Sequence, residues 1–90
     1  MAYKKASGKV TRLYPDRKNC YIRLDYTPPL GESKPLDGYF QLEKSHENYN
    51  SLYSLTVVAA VNRYNLLIRT AGDIVGTGEY PKVEYMVIDW

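Results

Sequence analysis

Between Asn48 and Arg63 the chain carries no charge, and the run SLYSLTVVAAVNRYNLLIRT (residues 51–70) decides which folds are open to it. A membrane helix needs about 20 predominantly apolar residues. The uncharged part here is shorter and includes Ser51, Ser54, Thr56 and Asn62, so no membrane insertion is expected. A single strand would be far longer than the usual 5–6 or so residues and has no alternation to define a face. Helical spacing fits better, with Leu52, Leu55, Val58, Ala59 and Asn62 on one side and Tyr49 and Val61 close to it. The pattern therefore predicts a buried helix over residues 49–61, from Tyr49 to Val61, capped by the side chain of Asn48 or Asn50. Asn62 or Asn65 is expected to take the left-handed conformation that ends it. LLIRT then follows as a short strand.

The rest of the chain reads as strands and turns. Residues 9–14 and 19–26 flank Pro15-Asp16-Arg17-Lys18, a four-residue turn in which Pro sets φ. Cys20, Ile22, Leu24 and Tyr26 alternate with Tyr21, Arg23 and Asp25, the pattern of a half-buried strand. Three prolines make residues 27–35 a loop. A third strand, residues 38–42, turns Phe40 and Leu42 inward and Tyr39 and Gln41 outward. Residues 72–81 form a Gly-rich loop, and residues 83–90 the final strand. Residues 1–7 are expected to be flexible. The order βββαββ in one 90-residue domain is mainly β with one helix, and it suits a five-stranded OB-like Greek-key barrel plugged by that helix. An open α+β sandwich is the competing layout.

Charge is unevenly placed. Residues 1–23 hold seven cations against Asp16, a net of +6, and the remainder holds five cations against nine acids, a net of −4. A basic surface for nucleic acid or anionic glycan and a solvated hairpin are both consistent with that split. One cysteine, Cys20, cannot form an internal disulfide and reads as a small buried apolar residue. Residues 1–8 lack an apolar leader segment, which leaves either a cytoplasmic protein or a secreted one whose leader has been removed.

LYSLTVVAA, the turn NRYN, the strand LLIRT, a Gly-rich loop and YPKVEYMVIDW follow the hairpin SGKVTRLYPDRKNCYIRLDY. In that order they resemble small bacterial OB-fold proteins related to the B subunits of AB-type toxins, of the subtilase-cytotoxin-like and pertussis-toxin-like kind. The resemblance implies a homopentamer with helices around a central pore, strands paired across subunits, and glycan bound on the outer barrel surface. The single Cys and the missing leader depart from that family's secreted, disulfide-bonded pattern.

Catalytic chemistry has little to draw on. His46 lies near Glu43 and Glu47 without a second His or a Cys, so neither a metal nor another cofactor is expected. No P-loop pattern occurs. A non-enzymatic binding module is the reading that remains. Its ligand face is expected at Tyr21, Arg23 and Tyr39 with Arg12 beside them, suited to a glycan or, as second choice, to single-stranded nucleic acid. Cross-strand packing alone would also account for outward tyrosines. A structural or inhibitory protein-interaction domain is the third class. Self-association is expected through Leu67, Arg69, Met86 and Trp90 on the last two strands.

Overall fold

The computed structural model describes residues 3–74 and 78–89. Its elements are β1 (Lys5–Pro15), β2 (Asn19–Tyr26), a 3-10 turn (Pro35–Gly38), β3 (Tyr39–Glu43), α1 (Tyr49–Asn62), β4 (Asn65–Thr70) and β5 (Val83–Asp89). All strands join one antiparallel sheet in the order β3-β2-β1-β4-β5. The mainly β architecture and the order βββαββ are as expected.

β1 is longer than its apolar pattern suggested, because it serves two partners. Lys5 to Gly8 pair with Leu66 to Arg69 of β4, which takes residues 5–7 out of the flexible terminus expected for them. Gly8 to Pro15 pair with β2, and the ladder shifts by one residue at Thr11, between Val10 and Arg12. Ala6, Gly8 and Val10 are buried before the shift, whereas Arg12 and Tyr14 are exposed after it. A bulge flips the parity of the strand, since side chains alternate with period two. Gly8 sits where the partners change, and a Cβ there would stand 2.1 Å from the Asp25 carbonyl oxygen.

Phe40, Ile22, Leu24, Leu42, Leu66 and Ile68 fill the inner face, each at most 1% exposed. α1 packs on β1, β3, β4 and β5 through Leu52, Thr56 and Ala59. This face matches the expected one at Leu52 and Ala59 and differs at Val58 and Val61, which are 46% and 75% exposed. Thr56 satisfies its buried hydroxyl by donating to the Leu52 carbonyl at 2.8 Å, and its oxygen lies 3.2 Å from the Met86 sulfur.

Both helix ends are also fixed differently. Asn48 precedes the helix with no side-chain cap; its own N–H is taken by His46 Nδ1 at 3.0 Å. With Nδ1 accepting, Nε2 carries the proton and donates to the Glu84 carbonyl at 3.0 Å, tying the helix entrance to β5. At the far end Arg63, rather than either asparagine, is left-handed at φ 58°, because the helix runs on through Asn62, whose side-chain amide donates to the Val58 carbonyl at 2.9 Å. Lys9 Nζ donates to the Arg63 carbonyl at 2.8 Å, placing a cation at the negative end of the helix.

The sheet curls until its edges meet at one parallel bridge, Gln41 with Lys82, where the Gln41 N–H donates to the Pro81 carbonyl at 2.8 Å. Full barrel closure was expected and is not reached. β3 ends at Glu43 as the chain turns toward α1, so most of β5 has no facing strand to pair with.

Candidate functional site

The outer face of β1, β2 and β3 carries two cross-strand rows. Arg12, Arg23 and Tyr39 form one; Tyr14, Tyr21 and Gln41 form the next. Tyr80, from the segment leading into β5, packs over both, with ring centroids 5.2 Å from Tyr21 and 6.1 Å, edge to face, from Tyr39. Tyr14 lies 5.8 Å from Tyr21. Arg12 donates to the Tyr39 hydroxyl at 3.2 Å, and the Arg23 guanidinium sits 5.8 Å from the Tyr39 ring centre, a cation–π contact. Together with Asp16 these tyrosines and Arg12 line an open cleft of about 400 Å³.

Asp16 belongs to the β1–β2 turn. The turn proper is Asp16-Arg17-Lys18, since Pro15 still pairs with Cys20 as the last residue of β1. Asp16 Oδ1 accepts the backbone N–H groups of Lys18 at 2.9 Å and Asn19 at 2.8 Å. These bonds, Asn19 first, with Lys44 and Lys18 nearby, hold the carboxyl below its ordinary value of 3.8. The cleft therefore contains a fixed anion between cations.

A strained turn abuts the same face. Leu36, Asp37 and Gly38 are all left-handed, at φ 54°, 56° and 83°. Such backbone costs of order 1–3 kcal/mol per non-glycine residue. Arg23 Nε donates to the Asp37 carbonyl at 3.3 Å, linking this turn to the tyrosines. Behind it Tyr26 is buried; its hydroxyl lies 3.0 Å from that of Tyr3, whose proton is committed to the Ser33 carbonyl at 2.6 Å. Burial, then the Tyr3 bond, push the Tyr26 hydroxyl well above its usual 10.0.

The four residues expected to bind ligand, Tyr21, Arg23, Tyr39 and Arg12, thus stand together. Tyr14, Asp16 and Tyr80 were not expected there. The Thr11 bulge turns Tyr14 outward together with Arg12, and no turn or glycine signal in the sequence marks it. No local signal in the sequence brings Tyr80 across to β2 and β3.

The residues expected at an oligomer interface divide. Leu67 and Arg69 are half-buried on the outer face of β4, opposite Val87 and Tyr85 of β5, which are 38% and 42% exposed. Met86 faces the other way and is buried beside Thr56, out of reach of a partner. Trp90 lies outside the described residues. Cys20 is fully buried, and desolvation raises its thiol pKa. Among the described residues no three His, Cys, Asp or Glu side chains are grouped to hold a metal ion, and no helix is long and apolar enough to cross a membrane.

No family model, curated protein or solved structure matches the chain.

Proposed function

We propose that this chain is a non-enzymatic, OB-like binding module that recognises glycan on the tyrosine face. One observation carries the reading: Tyr80 folds onto Tyr21 and Tyr39, building an aromatic cleft beside the carboxylate of Asp16. Tyrosine rings offer an apolar surface to the C–H face of a sugar, and their hydroxyls, Asp16 and Arg12 offer hydrogen bonds to its hydroxyls. The cleft covers β2 and β3 together with the segments before β2 and before β5, the surface on which OB barrels take oligosaccharides and oligonucleotides.

Single-stranded nucleic acid is the second reading, favoured by Arg12, Arg23, Arg17 and Lys18 on or beside the same face. Two features weigh against it. The rings meet at 42°, 57° and 75°, turned toward one another rather than spread as stacking platforms, and Asp16 repels phosphate. Self-association, as in the toxin B subunits that the sequence resembles, would use the flat outer face of β4 and β5.

A glycan array tests the reading. Wild-type protein is expected to bind at least one glycan class, and Tyr80→Ala or Tyr21→Ala to abolish that signal while remaining folded. Binding of labelled oligo(dT) that weakens steeply with salt, with no array signal, would transfer the face to nucleic acid.

A further inference from the structure

The tyrosine cleft does not end at Tyr21. Its cross-strand neighbour Gln41 opens a second concavity of about 440 Å³, whose walls include Arg17, Lys18, Asn19, Glu43 and Lys44. The two concavities are neighbours, with Asn19 Nδ2 of the second donating to the Tyr21 hydroxyl of the first at 3.4 Å. The Lys44 N–H donates to the Lys18 carbonyl at 3.0 Å, which keeps these two cations side by side. Glu43, the acid of this notch, is drawn toward Lys82 at 3.8 Å, leaving the notch cationic.

The opposite end of the cleft is cationic too. Arg12 and Arg23 each use only part of their guanidinium in the bonds to Tyr39 and Asp37, and a guanidinium has five N–H donors. From Arg23 to Asn19 the strand advances roughly 13 Å at about 3.3 Å per residue. The surface therefore runs cation, aromatic cleft, cation over a length greater than one sugar ring, and the anion Asp16, opposite Asn19 in the β1–β2 turn, lines the cleft where it meets the notch.

Resting on the glycan reading, we propose that the ligand is a linear acidic oligosaccharide in which charged and neutral sugars alternate. The neutral sugar lies on Tyr14, Tyr21 and Tyr80. Its charged neighbours, carrying carboxylate or sulfate, reach Arg17, Lys18 and Lys44 on one side and Arg12 and Arg23 on the other. Asp16 sets the alternation, because an acidic sugar over the tyrosines would face its carboxylate. A polymer charged at every unit cannot avoid that clash.

The test is a titration panel of hexasaccharides followed by amide chemical shifts. It contains hyaluronan and unsulfated chondroitin, which alternate, each beside its carboxyl-reduced counterpart; oligogalacturonate, charged at every unit; and oligo(dT). The alternating acidic members are expected to bind at least tenfold tighter than their neutral counterparts, with shifts at both Tyr21 and Lys44. The double variant Lys18→Gln/Lys44→Gln should bring that ratio close to one. Asp16→Asn, which keeps an acceptor for the turn, should narrow the gap between alternating and uniformly charged chains. Equal binding of charged and neutral forms overturns the alternating acidic ligand and leaves the tyrosine cleft as a neutral-glycan site. Preference for oligogalacturonate overturns the role given to Asp16. Failure of every saccharide on this panel and on the array overturns both proposals, as does tighter binding of oligo(dT).

Discussion

Two outward faces of the same sheet carry similar residue types and differ in shape. Over β1, β2 and β3 the aromatic rings form a cleft with arginines, a carboxylate and strand-end loops around it. Over β4 and β5, Leu67 lies opposite Val87 and Arg69 opposite Tyr85 across one ladder, half-buried on β4 and exposed on β5. Alternation set the outward residues of β2, β3, β4 and β5. The concave face needed three further contributions: a bulge that re-aims Arg12 and Tyr14, a local turn that holds Asp16, and a loop residue, Tyr80, returning from far along the chain.

Gly8 is the hinge between the two faces, and its replacement should do the most damage. Gly8→Ala puts a methyl group against the Asp25 backbone while Gly8 is paired with both Tyr26 and Leu66. A loss of about 3 kcal/mol or more in urea unfolding is expected, at the upper end of overpacking. A loss below about 1 kcal/mol would mean that β1 slides freely between its partners.

Next in size is the contrast in ligand response. Tyr80→Ala should weaken glycan binding tenfold or more, about 1.4 kcal/mol. Val87→Ala, on the flat face, should leave it unchanged. Equal losses from both would erase the distinction between the faces. The reverse contrast concerns assembly: Leu67→Glu should dissociate whatever oligomer sedimentation detects, and Tyr80→Ala should not. A wild-type protein that stays monomeric at high concentration would remove the flat face as an interface.

Two smaller effects concern the supports. Lys9→Met removes the cation at the C-terminal end of α1 and should cost about 0.5–1 kcal/mol, less at high salt. Tyr26 has a folded pKa above its unfolded value of 10.0, so its contribution is fully present below pH 10 and declines as pH rises toward the folded value. Wild-type stability should fall across that alkaline range more steeply than that of Tyr26→Phe. Parallel curves would place the alkaline sensitivity elsewhere.

Much of the tyrosine face was legible because it rests on period-two alternation. Tyr21 and Arg23 had to point outward once Cys20, Ile22 and Leu24 pointed in, and Tyr39 followed from Phe40 and Leu42. The helix was legible in its extent and, through Leu52, Leu55 and Ala59, in part of its buried stripe. Thr56 lies inward and Val58 and Val61 outward because the sheet touches only one side, which the apolar pattern did not mark. The helix termini also escaped, since backbone donors and acceptors were met by His46 and Lys9 from outside the helix.

By itself the sequence determined the type and order of the elements, because hydrophobic periodicity and the cost of unpaired backbone are local matters. It also determined which residues of β2 and β3 face outward. Only the tertiary structure decided that β1 changes parity at Thr11 and partner at Gly8, that closure stops at one bridge, and that Tyr80 completes the cleft. Those outcomes depend on contacts between residues tens of positions apart, which become favourable only after the core has formed.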